Sequence, residues 1–176
     1  MTENRWLDAN EQRAWRRYLR MQADLTAHLA RQLQTDSDLS LADFEVLVRL
    51  TDVAEGRVRV TGLARSLQWE KSRLSHHVAR MERRGLVVRE DCPSDARGAF
   101  VVLTPAGRQA IEAAAPGHVA TVRRLMFDGL TPDQVETLAV IADTVLDRIE
   151  RDITGKFEPG AAGNPPRRRD SEATAS

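Results

Sequence analysis

The chain has 176 residues, enough for one or two folding units, and 30% of them are charged. No apolar run reaches the roughly 18 residues of a membrane span, and the first residues lack the apolar core of a secretory signal. The one cysteine cannot form an internal disulfide, so we expect a reducing, cytoplasmic setting.

The charges are balanced overall but unevenly distributed along the chain. The 26 basic and 26 acidic residues give a formal net charge of zero. From Arg57 to Arg108, however, there are eleven basic residues and only five acidic ones, so the remainder of the chain is acidic. A basic segment within an acidic frame predicts a polyanionic partner.

Two helices are predicted first, from Asp8 to Leu33 and from Leu41 to Ala54. Apolar residues in the first helix repeat with the helical period and form a single stripe. The second helix starts at a capping box made by Ser40 and Asp43. The stripe of the first helix consists of Trp15, Tyr18, Met21, Leu25, Leu29 and Leu33.

The next stretch predicts a short strand from Arg57 to Val60 and a brief helix capped by Thr61. After a turn, a longer helix runs from Glu70 to Arg84, and Gly85 suits the position that follows a helix end.

The apolar period then changes to that of a strand. This change predicts an antiparallel hairpin formed by Leu86–Asp91 and Ala99–Thr104, with a polar tip, Cys92–Gly98, between the strands.

Two more helices are predicted towards the end of the chain. Thr104 followed by proline caps the first of them, and Pro116 is expected to kink or interrupt it. Thr131 caps the last helix, which runs through Ile149. The residues after Phe157 have the composition of a disordered tail.

Short helix, turn, longer helix and hairpin in this order predict a winged helix-turn-helix, within a mainly α fold of the α+β type. On a helical wheel, Leu74, Val78 and Met81 form the buried face of the longer helix. The opposite face is cationic and carries a hydroxyl, with Lys71 and His77 on its flanks. That outer face consists of Ser72, Arg73, His76, Arg80 and Arg83.

Side chains of these types bind phosphates and the acceptor edge of guanine, so the outer face predicts binding to double-stranded DNA. An ordinary solvated face is the alternative, although such faces usually mix both signs of charge.

In a winged helix the hairpin reaches beside the groove that the longer helix occupies. Arg97 at the tip is therefore expected to enter the adjacent minor groove, supported by Asp95, while Pro93 and Gly98 shape the bend. An ordinary solvated turn is the alternative for this tip.

Three segments, EKSRLSHHVARMERRGLVVRE, SDARG and AFVVLTPAGR, resemble the MarR family of bacterial transcriptional regulators. Asp95, Arg97 and Gly98 match the family's Asp-x-Arg-Gly signature, and the resemblance covers about Asp8 to Asp152. It implies a homodimer with intertwined terminal helices, a pseudo-palindromic operator and, in many members, a small phenolic or other aromatic effector.

The apolar stripes of the terminal helices are longer than one winged helix can cover, so the residues also predict a homodimer. We expect four segments: an N-terminal dimerisation helix (1–36), a winged helix-turn-helix DNA-binding domain (37–104), C-terminal dimerisation helices (105–157) and a disordered tail (158–176).

Roles of single residues follow where they match the family pattern. Besides Asp95 and Arg97 in the wing, we expect two groups of DNA contacts on and beside the longer helix. The residues expected to contact bases are Ser72, Arg73, His76 and Arg80. The residues expected to contact phosphates are Thr61, Lys71, Arg83 and Arg84.

The sequence offers few candidates for binding an effector, sensing redox state, holding a metal or catalysing a reaction. Trp15, Tyr18 and Arg49 are candidates for lining an effector pocket, with plain core or dimer contacts as the alternative. Cys92 is interpreted as a small packed or surface thiol rather than a redox sensor. No metal-ligand spacing, cofactor loop or catalytic motif is present, so no cofactor and no enzyme activity are predicted. A winged-helix module that binds another protein, without specific DNA binding, remains the rival hypothesis.

Overall fold

A computed structural model describes residues 6–92 and 95–155, with the backbone but not the side chains of residues 95–97. The described residues form two compact units that divide after Gly129. In chain order the elements are α1 (Ala9–Ser37), α2 (Leu41–Thr51), β1 (Arg57–Arg59), α3 (Val60–Ser66), α4 (Lys71–Arg83), β2 (Val87–Cys92), β3 (Asp95–Leu103), α5 (Pro105–Val122), a π-helical segment (Arg123–Phe127) and α6 (Pro132–Ile153).

This order confirms the predicted α+β fold with a winged helix-turn-helix. The four predicted segment boundaries stay predictions, and the tail from residue 158 lies outside the described residues. Within the described residues, no helix is both long and apolar enough to cross a membrane.

Helix α2 begins where its predicted capping box places it, and α1 begins after a cap that was not predicted. Asp8 caps α1 and Ser40 caps α2, each within a capping box, and the Ser40 hydroxyl accepts the N–H of Asp43 at 3.0 Å. These bonds satisfy N–H groups that the first helical turn leaves unpaired. Helix α1 continues beyond its predicted end at Leu33, whereas α2 already stops at Thr51.

Helix α3 begins earlier than predicted. Its N-cap is Arg59, which makes no side-chain capping bond, and Thr61 lies inside the helix instead of capping it. Val60, Leu63 and Ala64 are all buried and have helical spacing, so packing of this face sets the start of the helix. The prediction that Thr61 caps α3 is therefore wrong.

The three strands form an antiparallel sheet in the order β1-β3-β2. The predicted hairpin is confirmed, but its strands run further than expected. Because β2 ends at Cys92 and β3 begins at Asp95, the predicted tip, Cys92–Gly98, is too long. A shift of register after Asp91 absorbs the mismatch and lets the strands continue pairing towards the tip.

Helix α5 starts at the predicted cap, where the Thr104 hydroxyl accepts the N–H of Gly107 at 2.9 Å. The expected interruption at Pro116 is wrong, since α5 is continuous as far as Val122. Pro116 is exposed, so the carbonyl group that lacks its N–H partner can bond to water. The helix becomes π-helical only afterwards, at Arg123–Phe127.

The hydrophobic core of the first unit lies where α1, α2, α3, α4 and the sheet meet. Each contributes a fully buried side chain, and α5 adds Ile111 at its edge. This packing fixes the inner face of α4 against the rest of the lobe, so its outer face has a defined orientation. The fully buried representatives are Leu33, Leu47, Leu63, Leu74 and Val101.

Replacing Gly107 with alanine is expected to destabilise the fold by about 3 kcal/mol or more. A Cβ atom here would lie 2.0 Å from the carbonyl oxygen of Leu86 and 2.9 Å from a methyl carbon of Leu103. The first of these is a backbone atom, so α5 would have to move away from the hairpin. Urea unfolding followed by circular dichroism measures the loss.

The matched control is Gly117, in the same helix. A Cβ atom there would lie 3.5 Å from Nε2 of Gln32, an ordinary contact. Gly117→Ala is expected to leave stability unchanged or raise it by up to about 1 kcal/mol, because alanine is the better helix former. Equal stability of Gly107→Ala and Gly117→Ala would show that α5 does not pack against the hairpin as described.

Helix α6, in the second unit, begins at the predicted capping box of Thr131 and Gln134. None of its side chains is buried. A helix of 22 residues with an uncovered apolar stripe gains little stability by itself and requires a partner surface. The stripe consists of Val135, Leu138, Ile141, Val145, Leu146 and Ile149.

Candidate nucleic-acid interface

A tight turn joins α3 to α4. The N–H of Trp69 donates to the carbonyl of Ala64 at 2.9 Å, and the N–H of Gln68 donates to that of Arg65 at 3.1 Å. Gln68 has φ of 54°, so these bonds form the left-handed ending that commonly terminates helices. The ending stops α3 at once and lets α4 leave in a new direction, as a helix-turn-helix requires.

Helix α4 has the two faces that the helical wheel predicts. Leu74, Val78 and Met81 are buried in the core. The outer face is exposed throughout, and Lys71 beside it is exposed as well. The structure therefore brings together on one surface the predicted residues Ser72, Arg73, His76, Arg80 and Arg83.

His77 is the exception, because it is buried and not on the flank of the outer face. Its Nε2 atom lies 3.0 Å from Oδ1 of the buried Asp43 in α2, within ion-pair distance. Its Nδ1 atom lies 2.8 Å from Nη2 of Arg80. A helical wheel could not show this, since the buried carboxylate that attracts the ring comes from another helix.

Trp69 organises a second cation of the outer face. The guanidinium carbon of Arg73 lies 4.3 Å from the centre of a Trp69 ring, and the His77 ring meets Trp69 edge-on at 5.3 Å. The face of an aromatic ring attracts a cation, so Trp69 restricts where the Arg73 side chain can lie.

Arg84, predicted to contact phosphate, anchors α4 to α2 instead. Its Nη1 atom donates to Oδ2 of Asp43 at 2.7 Å, and Nη2 donates to the backbone carbonyl of Asp38. These donors are engaged on the body of the protein, and the expected phosphate contact of Arg84 stays a prediction.

Asp43 is the buried acceptor that holds this junction together. Burial by itself would raise the pKa of Asp43, but the neighbouring His77 ring and hydrogen bonds from Ser40 and Arg84 outweigh it and hold the pKa well below its usual range. A carboxyl group with a lowered pKa stabilises the fold while it is ionised. That stabilisation is present above the usual carboxyl pKa and is lost as the pH falls below it.

Asp43→Asn is therefore expected to cost about 2 to 4 kcal/mol of stability at pH 7, because it leaves Arg84 and His77 without their anionic partner. The difference between the wild type and the variant should shrink as the pH falls below about 4, because the Asp43 carboxyl takes up a proton in the unfolded chain before it does so in the folded protein. Urea unfolding at pH 7 and at several acidic pH values measures it. A difference that does not change with pH would contradict the ionised state of Asp43.

A polar pocket of about 250 Å³ lies where the wing meets α3 and α4. It brings together the predicted phosphate contacts Thr61 and Lys71 with Arg59 of β1 and Arg89 of β2. Arg59 and Arg89 were not among the DNA contacts predicted from the sequence, although each projects from a strand of the wing sheet and is exposed. Three cations and two hydroxyl groups, counting Ser75, make this pocket suited to one or two phosphate groups.

The wing tip can be described only in part. Asp95 and Arg97 lie in the backbone of β3, but their side chains are outside the described residues. Their expected roles in the minor groove stay predictions. At the base of the wing, Arg57 stacks on the Phe100 ring at 3.7 Å and pairs with Glu90 at 3.1 Å, so this arginine is already engaged.

A larger cavity, about 640 Å³, lies between α1, α2, α5 and the end of α3. Arg49 lines it as predicted, together with Glu45 and His118. Trp15 and Tyr18 do not line it, because they stack on each other at 5.7 Å in the exposed first half of α1. Their expected role in an effector pocket stays a prediction.

His118 of α5 lines this cavity and is partly buried. Burial lowers the pKa of His118, which favours the neutral ring. Its buried Nδ1 atom has no hydrogen-bond partner within the described part of the chain, and its ring packs on Phe44 at 4.3 Å. Cys92 is buried, and across residues 6–92 and 95–155 no three His, Cys, Asp or Glu side chains cluster closely enough to hold a metal ion.

Comparison with known proteins agrees with this geometry. A family model described as the MarR family matches residues 37–98. The chain is 45% identical to Sco3205, a MarR family transcriptional regulator from Streptomyces coelicolor solved in complex with DNA, with a TM-score of 0.79 over 84% of this chain and 92% of the other. It is 41% identical to AbsC, a MarR family regulator of the same organism, with a TM-score of 0.77 over 86% and 99% of the two chains.

A curated relative gives a shorter match. The transcriptional regulator HosA of Escherichia coli O111:H- is 35% identical over 89 residues, which cover 51% of this chain and 64% of HosA. The chain spans less than two thirds of the length of the curated relatives that it matches.

Proposed function

The chain belongs to the MarR family of DNA-binding transcriptional regulators, and from that premise we propose that it is a repressor that binds a pseudo-palindromic operator as a homodimer. Repression is favoured over activation because occupying a promoter requires only binding. In this proposal, α4 enters the major groove and the wing lies along the adjacent minor groove.

The observation that carries the proposal is the outer face of α4. Its exposed cations are all aligned on one side of a helix whose other side is fixed in the core. Two of them, Arg73 and Arg80, are further restrained by Trp69 and His77. The pocket at the base of the wing adds Arg59, Lys71 and Arg89 beside this face, in a position to hold phosphates of the same duplex.

The apolar surface of the terminal helices supports the homodimer. Large apolar side chains are exposed along the first half of α1, the end of α5 and the whole of α6. Such extended surfaces are covered by a partner in soluble proteins. A twofold dimer would also present two copies of α4 to successive major grooves of one duplex. The exposed side chains include Trp15, Leu19, Val119, Leu125, Ile141 and Leu146.

An effector would bind in the cavity of about 640 Å³ lined by α1, α2 and α5. Its walls combine apolar side chains with polar ones, among them Arg49, Glu45 and His118, and this mixture suits a small aromatic acid or phenol. Helix α2 lines this cavity through Phe44 and holds α4 through Asp43, so a shift of α2 on binding would reach the DNA-reading helix. A change of about 5- to 150-fold in DNA affinity is enough for a switch.

Replacing Arg73 or Arg80 with glutamine tests the proposal. Each substitution is expected to weaken binding to the operator about tenfold or more, with a much smaller effect on unrelated DNA, because a guanidinium that contacts a base is lost. Gel-shift or fluorescence-anisotropy titrations against the chain's own upstream DNA measure the change.

Arg20→Gln is the matched control, because Arg20 is an exposed arginine of α1 that pairs with Asp24 of the same helix. It is expected to change operator affinity less than twofold. If the protein is instead a module that binds another polypeptide, no sequence-specific shift appears, and the Arg73 and Arg80 variants behave like the wild type.

A further inference from the structure

The ring of His77 joins the buried side of α4 to its outer face. Asp43 of α2 lies beside one ring nitrogen and Arg80 beside the other, at 3.0 and 2.8 Å. We propose that His77 is a positioning residue that aims Arg80 at a base of the operator, using the buried carboxylate of Asp43 to fix the state of its ring. This inference rests on the proposed function, because its effect is measured as binding to the operator.

The contacts define which nitrogen of His77 carries the proton. A guanidinium group only donates hydrogen bonds, so the Nδ1 atom that Arg80 approaches must be the acceptor. The ring proton then lies on Nε2, on the side of the Asp43 carboxylate. The other oxygen of this carboxylate, Oδ2, accepts a hydrogen bond from Nη1 of Arg84 at 2.7 Å, which holds the carboxylate in place.

The bond to His77 uses one of the five N–H donors of Arg80. The second N–H on Nη2 and both on Nη1 are left for the acceptor pair of a guanine edge. An arginine on an exposed helix face otherwise samples many rotamers and loses that freedom on binding. The contact with His77 restricts the Arg80 side chain before DNA binds, so less conformational entropy is lost on binding. It also fixes the direction in which the remaining N–H donors point.

Burial and packing fix the position of the His77 ring, and therefore also its contact with Arg80. His77 is 6% exposed, and Trp69 packs edge-on against it. Arg73 in turn packs over the Trp69 ring. The charged groups that surround the ring are Asp43 and, through it, Arg84 from the inner side, and Arg80 and Arg73 from the outer side.

A double-mutant cycle on operator binding tests the inference. The variants are His77→Leu, which keeps an apolar side chain but removes both polar contacts, Arg80→Gln, and the two combined. His77→Leu alone is expected to weaken operator binding about five- to twentyfold and leave binding to an unrelated duplex unchanged. In the Arg80→Gln background it should cause no further loss, since it acts only through Arg80.

His77→Gln is the conservative control, because its amide can donate towards Asp43 and accept from Arg80. It is expected to remain within about threefold of the wild type, which a merely space-filling role for the imidazole does not predict. Independent losses in the two backgrounds, or equal losses on operator and unrelated DNA, would overturn the inference.

A measurement on the unmodified protein covers the case in which His77→Leu does not fold. The ¹⁵N chemical shifts of the His77 ring distinguish a neutral ring with its proton on Nε2 from one with its proton on Nδ1. The first result supports the contact with Arg80, and the second overturns it. If no duplex is bound specifically, the proposed function fails, while the ring measurement still decides whether His77 accepts from Arg80.

Discussion

Raising the salt concentration from 50 to 200 mM is expected to weaken operator binding by about 10³ to 10⁵. If each protomer neutralises three to five phosphates, the dimer makes roughly 6 to 10 such contacts, and each releases counterions when it forms. The described cations suffice for this number, because the outer face of α4 and the pocket at the base of the wing together carry four phosphate-binding cations per protomer, Arg59, Lys71, Arg83 and Arg89, besides the base-contacting Arg73 and Arg80. Titrations at several salt concentrations give the slope of log affinity against log salt.

Lys71→Gln provides an internal check of this slope. It removes one phosphate-binding cation from each protomer, so the slope for the dimer should fall by about two units. Arg20→Gln, on the exposed surface of α1, should leave the slope unchanged. A nearly flat dependence on salt would falsify the assignment of these cations to a DNA backbone.

Ile149→Glu is expected to abolish the dimer and weaken operator binding by about 10² to 10⁴. Ile149 is the last residue of the apolar stripe of α6. On a helical wheel it lies near the middle of the width of the stripe, and it is 49% exposed in the single chain. A carboxylate at a buried subunit contact has no partner, and a protomer that cannot pair loses the second half-site. Sedimentation velocity measures the assembly state, and anisotropy titrations measure the affinity.

Val140→Glu is the matched control on the same helix. Val140 is 54% exposed, but at 100° per residue it points away from the stripe. It should therefore leave both the dimer and the operator affinity unchanged. A stable dimer of Ile149→Glu, or equal effects of the two substitutions, would place the subunit interface elsewhere.

Local signals in the sequence predicted much of the fold. The caps at Ser40, Thr104 and Thr131 act within one turn of the helix that they start, so their spacing alone was sufficient. The alternating valines after Gly85 predicted the hairpin for the same reason.

The errors arose where distant contacts decide the local structure. The start of α3 was misplaced because burial of Val60 in the core outweighs the capping preference of Thr61. The interruption at Pro116 was wrong because its exposure lets solvent replace the lost bond.

The candidate interface shows the same division. The wheel of α4 identified the exposed side chains, because helical geometry fixes which residues share a face. The wheel placed His77 on the flank of the outer face, and it could not show the contact that Arg84 makes with Asp43. Both side chains lie against Asp43, which precedes them by more than 30 residues in the chain. Arg59 was missed because its place beside Lys71 depends on how the strands pair.

The most direct test of the central proposal, that paired copies of α4 read a duplex sequence, is selection of bound fragments from genomic DNA. The wild-type protein is expected to enrich one pseudo-palindromic motif whose half-site centres lie about 10 base pairs, or one helical turn, apart. The variant that combines Arg73→Gln with Arg80→Gln should lose that enrichment. Recovery of fragments with no shared motif, or of the same motif by both proteins, would contradict the account.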